Sequence, residues 1–355
     1  MEKLLEKFKI EGRPLSCEKY GSGHINRTFL VKTDSGKKYI LQKINTDIFK
    51  DIDMLMRNIA LITQYLKKVS PDYMKVLTLV ETFDGKLYYK SDNDECWRMY
   101  DFIEHSVCLD RPESADDFYQ SAVAFGQFAN LLSGFDASLL GETIPNFHNT
   151  IERYKQLKEA IKNDVKGRAS SVADEIDFAM SREQEAGQMV RMMQEGKLPV
   201  RVTHNDTKLN NVLFNDQTRK PLCVVDLDSV MPGLIGNDFG DSIRFGASTA
   251  AEDEIDLDKV KFDINMYDSY AKGFLSTCKD SLTKAEIDTL PLAAKLMTLE
   301  CGTRFLADYL NGDVYFATSR PNHNLDRART QFKLVSEMER EFDNMKAIVH
   351  KYAEK

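Results

Sequence analysis

The chain has no cysteines paired at metal-binding or redox spacing. Its six (Cys17, Cys96, Cys108, Cys223, Cys278 and Cys301) contain no C-x-x-C, and several sit within apolar runs. They read as reduced core thiols, as expected in a cytosolic protein, rather than as a disulfide framework. No apolar run is long enough to span a membrane, and the opening MEKLLEKFKIEGRP is charged throughout with no apolar signal region. The expected location is therefore the cytoplasm, with no membrane partner. Positive charge is not in excess either. Forty-eight Lys and Arg against 56 Asp and Glu leave a net charge of −8, which argues against nucleic acid or an anionic membrane surface as the main partner. There is no internal repeat, low-complexity tract or flexible linker. What remains is a chain of 355 residues, 42% hydrophobic and 29% charged, ordinary for a soluble enzyme and long enough for two domains.

The most informative stretch is 200–246, VRVTHNDTKLNNVLFNDQTRKPLCVVDLDSVMPGLIGNDFGDSIRFG. A short β-branched run breaks into a polar loop at 204–211. Two apolar runs follow, 212–214 and 222–225, joined by a turn rich in Asn, Asp and Pro, which predicts a hairpin. Asp206 and Asn211 precede the hairpin, and Asp226 and Asp228 follow it. A hairpin brings its ends together, and carboxylates crowded into a poorly solvated site call for a divalent cation. The order also matters. An Asp, an Asn five residues later, and an Asp closing the next apolar run is the arrangement of kinase-like phosphotransferases. There, one Asp takes or orients the acceptor hydroxyl proton while the Asn and second Asp hold magnesium against ATP. Asp238-Phe239-Gly240 spells a protein-kinase metal motif, yet it lies 27 residues after Asn211, whereas Asp226 lies 15 after it. Asp226 fits the metal role better. Asp238 is expected to accept backbone N–H bonds and brace the loop.

HND-x4-N followed by VVDLD resembles the aminoglycoside phosphotransferase and choline kinase superfamily, relatives of the protein kinases. More narrowly, THNDTKLNNVLF, VVDLDSVMPG and DFGDSIRFGA resemble the bacterial N-acetylhexosamine 1-kinases, over nearly the whole chain from about Tyr20. The resemblance implies an α+β, two-lobed protein kinase-like fold. Its N-lobe, 1–104, would be a five-stranded antiparallel sheet plus a helix and would bind the nucleotide. A mainly helical C-lobe, 105–355, would carry catalysis and substrate binding. It also implies ATP and Mg2+ as cofactors, with Asp206 catalytic and Asn211 and Asp226 on the metal, Asp228 supporting or sharing. The acceptor would be a small-molecule sugar, GlcNAc or GalNAc, phosphorylated on its anomeric hydroxyl. The rivals are kinases of aminoglycosides, choline or other amino alcohols, and a nucleotide-binding pseudokinase.

Along the N-terminal part, residues 1–10 read as a short amphipathic helix. In CEKYGSGHINRTFLV, Gly21, Ser22 and Gly23 form a turn between strand-like runs, where glycines let backbone N–H groups approach a phosphate. An ordinary hairpin turn is the alternative. His24 reads either as a solvated loop histidine or, by the resemblance, as a neighbour of the sugar. On the next strand, 39–44, Lys43 is the expected partner of the α- and β-phosphates. Gln42, on the other face, rivals it only if a bulge shifts the register. The helix predicted over 47–69 has no Glu to pair with Lys43, leaving Asp51 or Asp53. Runs at 76–80, 86–90 and 96–103 complete the predicted sheet. Phe102, Ile103 and Glu104 fall where the resemblance places a hinge that reads adenine through main-chain groups.

Beyond Arg111 the pattern is helical, with runs expected at 148–163, 170–195, 258–278, 283–310 and 325–352. Spacing alone makes Glu300 and Arg304 an i,i+4 surface pair. By resemblance, Arg304 and Tyr315 would reach sugar hydroxyls or the N-acetyl group, and Phe245 would offer a flat apolar surface to the ring.

Overall fold

The computed structural model describes residues 1–21, 25–71 and 74–354, apart from the side chain of Glu2. In chain order, the first elements are α1 (Glu2–Leu5), β1 (Pro14–Lys19), β2 (Arg27–Thr33), β3 (Lys38–Lys43), α2 (Ile52–Val69), β4 (Tyr89–Lys90), β5 (Cys96–Asp101) and β6 (Ser106–Cys108). There follow α3 (Ala115–Leu131), α4 (Thr150–Asn163), α5 (Ala173–Met180), α6 (Glu183–Ala186), α7 (Gln188–Gln194) and β7 (Arg201–Thr203). The next are β8 (Val212–Asn215), β9 (Pro221–Val224), β10 (Met231–Gly233) and α8 (Ile235–Gly246). The chain closes with α9 (Ile264–Cys278), α10 (Lys284–Asn311), α11 (His323–Arg340) and α12 (Phe342–Ala353). Among the described residues no helix is long and apolar enough to cross a membrane.

Two compact units result. The first comprises Met1–Val107, Ser138–Pro145 and Leu213–Met231, and the second Cys108–Ala137, Asn146–Val212 and Pro232–Lys355. The first unit is built on a five-stranded antiparallel sheet in the order β1-β2-β3-β5-β4. Alternation along β3 and β5 gives this sheet two different faces. Tyr39 and Leu41 of β3 and Trp97 and Met99 of β5 join Leu5, Phe8 and Val31 in one apolar core. Gln42 and Arg98, paired directly across the two strands, point to the other side. The run 76–80 is not a strand of its own. It is tied to β5 by one isolated bridge, Leu79 to Tyr100, and by Val80 N–H donating to Met99 O at 2.8 Å. The 86–90 run shortens to the two residues of β4.

Asp51 stops α2 from starting at 47, because its side chain accepts the Met54 N–H and caps the helix. The β8–β9 hairpin forms as its turn residues predict, with the Asn215 side chain accepting the N–H groups of Gln217 and Thr218.

The second unit is helical. The expected 170–195 run splits into α5, α6 and α7, and the 325–352 run into α11 and α12 at Glu341. Apolar spacing continues through both breaks, which is why periodicity alone missed them. Thr283 and Glu286 close a reciprocal capping box on α10. α8 lies close against α10 because Gly236 and Gly240 leave room for it. A Cβ on Gly240 would come within 2.6 Å of the Ala293 carbonyl oxygen, and one on Gly236 within 2.8 Å of the Ala293 Cβ. This contact matters for function because α8 carries Asp238 and Asp241. Gly240→Ala should therefore lower unfolding stability by about 1–3 kcal/mol through overpacking, although alanine adds up to ~1 kcal/mol of helix propensity. Denaturant melts giving equal or higher stability would contradict this packing.

Candidate active site

The polar loop at 204–211 belongs to the second unit, and α8 holds it. The Asp238 carboxylate accepts the backbone N–H of Asn205 at 2.7 Å and of His204 at 2.8 Å. That is the bracing work expected of it. Asp241 accepts the Thr207 N–H at 3.0 Å, the Thr207 hydroxyl donates to Asp238 O, and Ser242 donates to Thr207 O, with the Tyr270 hydroxyl behind it. His204 is fully buried, edge-on to Phe125 and Phe128. Asn205 takes a left-handed conformation, φ 64°, which an asparagine tolerates better than most residues. Burial pushes the Asp238 carboxyl up to about 6.

This scaffold presents Asp206. One carboxylate oxygen lies 2.9 Å from Lys208 Nζ, and the other accepts the Asn211 amide at 3.0 Å, while a quarter (25%) of the side chain stays exposed. Burial opposes its charge, but Lys208 and the Asn211 amide outweigh that and hold its pKa below the ordinary value. Lys208 is raised in turn, chiefly by Asp206. Asp206 and Asn211 are thus brought together, in surroundings that favour the charged form of Asp206.

The same unit gathers Arg304 and Tyr315. Asp308 accepts the N–H groups of Val314, Tyr315 and Phe316, folding the turn back over α10. The Arg304 guanidinium then lies over the rings of Phe147, Phe316 and Tyr315 at 5.3, 5.5 and 5.9 Å. Glu300 and Arg304 are not the surface pair that spacing predicts. Glu300 is buried, at 2% exposure, and its carboxylate is 3.0 Å from His148 Nδ1 but 4.0 Å from Arg304. Helical spacing gives the pair's separation along α10 but not the side of the helix that faces the core. Phe245, at the end of α8, lines a cavity of ≈ 300 Å³ with Arg111, Ser114 and Gln331, a cavity lined by neither Arg304 nor Tyr315.

In the first unit, Asp226 sits in a left-handed conformation, φ 58°, at the turn after β9. Asp228 is buried, and protein groups take both its oxygens. Arg98 Nη1 lies 2.5 Å from Oδ1, and the Asn26 amide donates to Oδ2 at 2.6 Å. Thr143 donates to the Asp228 carbonyl, and Asn58 donates to the Val230 carbonyl. Through these contacts Asp228 ties the segment after β9 to β5 and to Asn26. Gln42 faces this network with no bulge in β3, its Oε1 accepting Arg98 Nε–H at 3.0 Å. Lys43 lies on the opposite face across from Trp97, and its ammonium pairs with Glu95. Neither Asp51, which caps α2, nor Asp53, which accepts the Tyr88 hydroxyl, is its partner. Alternation puts Lys43 there, so the buried cation beside the DLD segment is Arg98.

Of the proposed hinge, the Phe102 N–H donates to Lys38 O, Ser106 donates to Ile103 O, and Glu104 pairs with Lys38 at 2.9 Å. The Tyr20 ring meets Phe102 edge-on, and Phe102, Ile103 and Glu104 line a cavity of ≈ 340 Å³. Gly21 has φ 74°, a turn that favours glycine. Ser22, Gly23 and His24 lie outside the described residues.

Mg2+ takes one or two protein carboxylates and completes its shell with phosphate and water rather than with a cage of protein side chains. Among the described residues no three His, Cys, Asp or Glu side chains gather into a metal cage, and such a cage is not needed.

The model of the APH phosphotransferase enzyme family matches residues 16–272. The chain belongs to that family. Solved structures with the same fold include a microcompartment-associated aminopropanol kinase, 16% identical over 97% of each chain with a TM-score of 0.61. An aminoglycoside phosphotransferase from Alicyclobacillus acidocaldarius is 12% identical over 100% of this chain and 96% of its own, with a TM-score of 0.62. An amicoumacin kinase, solved in complex with AMP-PNP, Ca2+ and Ami, is 14% identical over 96% of this chain and 93% of its own, with a TM-score of 0.61. These neighbours confirm the kinase-like α+β fold.

Reading the sequence missed Arg98, Glu95, Lys208, His148 and Glu300. Only Arg98 left a signal, as a lone charge in the otherwise apolar run CWRMY. Because Arg98 is 1% exposed and Asp228 4%, Arg98→Met strands a buried carboxylate and should cost about 3–5 kcal/mol of stability. Adding Asp228→Asn should restore part of it. A loss under about 1 kcal/mol, as for a surface pair, would contradict the buried network.

Proposed function

We propose that this protein is an ATP-dependent kinase that phosphorylates the anomeric hydroxyl of an N-acetylhexosamine, GlcNAc or GalNAc, to a sugar 1-phosphate. The observation that carries the transferase reading is the braced, ionised Asp206 bonded to Asn211, in a chain belonging to a phosphotransferase family. Asp206 accepts a hydrogen bond from the acceptor hydroxyl, orients it for in-line attack on the γ-phosphorus and receives its proton. Phosphoryl transfer is largely dissociative, so positioning and charge neutralisation outweigh the basicity of Asp206. Asn211 and Asp226 are the ligands assigned to Mg2+, which when bound would neutralise charge on the phosphates. Gly21, Ser22 and Gly23 are assigned to the phosphates, and Phe102, Ile103 and Glu104 to adenine.

The sugar assignment rests on the sequence resemblance and on Arg304 with Tyr315, a cation among aromatic rings that suits a neutral, oxygen-rich acceptor. A second reading, an amino-alcohol or aminoglycoside kinase, is favoured by the substrates of structural neighbours, aminopropanol among them. Against it stands Arg304, whose positive charge repels a cationic acceptor held among the same rings.

Incubation with ATP and Mg2+ against GlcNAc, GalNAc, glucose, choline, ethanolamine and kanamycin separates the readings, with phosphorylated products identified by 31P NMR. Sugar 1-phosphate is expected. Turnover of the amines alone overturns the sugar assignment, and ATP binding with no turnover of any acceptor indicates a pseudokinase. Asp206→Asn should cut turnover by about 10²–10⁴-fold while ATP affinity, measured by calorimetry, stays within severalfold. A near-normal rate would show that Asp206 does not orient the acceptor hydroxyl.

A further inference from the structure

His148 lies just before α4 and is not one of the residues assigned to catalysis, metal, nucleotide or sugar. Its Nδ1 is 3.0 Å from a Glu300 carboxylate oxygen, and its Nε2 is 3.2 Å from the carbonyl oxygen of Asn205. Both partners are acceptors, and a neutral imidazole has only one N–H to give. The Asn205 carbonyl is half of the peptide that leads into Asp206, and Asn205 is the left-handed residue of the loop. Its N–H is fixed by Asp238, and its carbonyl by His148.

We propose that His148, held as an imidazolium by Glu300, is a positioning residue that clamps the Asn205–Asp206 peptide, so that its deprotonation sets the alkaline limit of phosphoryl transfer. This rests on the kinase reading of Asp206.

The charges around His148 favour the cation. From α10 it faces Glu300, which attracts a proton to it, and Arg304, which repels one. From α8 the carboxylates of Asp238 and Asp241 add further negative potential. The Phe147 ring, 4.3 Å away, carries no charge. Burial works against the imidazolium, but Glu300 and its hydrogen bond outweigh burial and raise the His148 pKa above its ordinary 6.5. Glu300 is correspondingly held below its ordinary value against the pull of burial. Among the described residues one Glu300 oxygen, Oε2, has no hydrogen-bond partner, so the His148 bond is the main compensation for this buried carboxylate. Because the folded pKa of His148 is raised, its contribution is complete below pH 6.5 and is lost as pH rises through the folded value. Above that pH one of the two bonds is given up, and the Asn205 peptide loses its outer anchor.

Two readouts test this together. In protein labelled at histidine, the Cε1–H resonance of His148, assigned by its disappearance in His148→Gln, should titrate with a midpoint above 6.5. Glu300→Gln should move that midpoint down by about one unit or more. For the acceptor that the panel identifies, kcat/KM should fall about tenfold per pH unit above the same midpoint, and the fall should move with it in Glu300→Gln. His148→Gln, whose amide can donate to Asn205 at any pH, should run slower at pH 6 by about tenfold, with that limb flattened. A purely structural histidine would lower activity without moving the limb. The proposal is overturned if His148 titrates below 6.5, or if the limb stays in place in either variant. Should no acceptor be phosphorylated, the kinase reading fails by itself, while the NMR midpoint still decides whether His148 is the doubly bonded cation.

Discussion

The second unit depends on one buried carboxylate. Asp238 takes two consecutive backbone N–H groups, those of His204 and Asn205, at the point where β7 ends and the polar loop begins. Hydrogen bonds to a charged group contribute about 1.5–3 kcal/mol each. A left-handed asparagine costs on the order of 1–3 kcal/mol, so the two bonds are sufficient to hold it. That conformation turns the chain sharply enough for Asp206 to emerge with its carboxylate between Lys208 and Asn211. Because α8 also supplies Asp241 and Ser242 to the next residue, Thr207, the loop is fixed to one helix along its length. The glycines on the opposite side of α8 let that helix seat against α10. Small residues on one face and acids on the other thus convert helix packing into placement of the Asp206 side chain.

Charge is managed differently in the two units. The first buries a permanent pair, Arg98 with Asp228, in which a guanidinium that cannot deprotonate fixes the segment following Asp226. The second buries a titratable pair, His148 with Glu300. An arginine gives a segment that keeps its shape across the physiological pH range. A histidine gives one whose anchoring depends on pH. Both arrangements keep a carboxylate ionised out of water, which requires a close partner.

The polar loop at 204–211 and the hairpin were legible in the sequence because they are local. HND-x4-N is a contiguous loop, the turn at 215–221 has the chemistry of a hairpin, and the distance of Asp238 from Asn211 already argued for a bracing role. The five-stranded sheet was legible from alternation, although the 76–80 run pairs too little to count as a strand. Partners distant in sequence were not legible. Glu95, which pairs with Lys43, is one acid in a polar turn with no pattern to mark it. His148 and Glu300 are 152 residues apart, and a polar residue on a helix carries no sign of burial until its neighbours are known. Apolar periodicity read the 170–195 and 325–352 stretches as continuous because the breaks leave that spacing intact.

The central claim is that the loop presenting Asp206 is held in place by Asp238 before any ligand binds. Amide hydrogen–deuterium exchange of the free protein measures this most directly. If the claim holds, the N–H groups of His204, Asn205 and Thr207 exchange as slowly as the core of α8. Exchange at the rate of an open surface loop would contradict it.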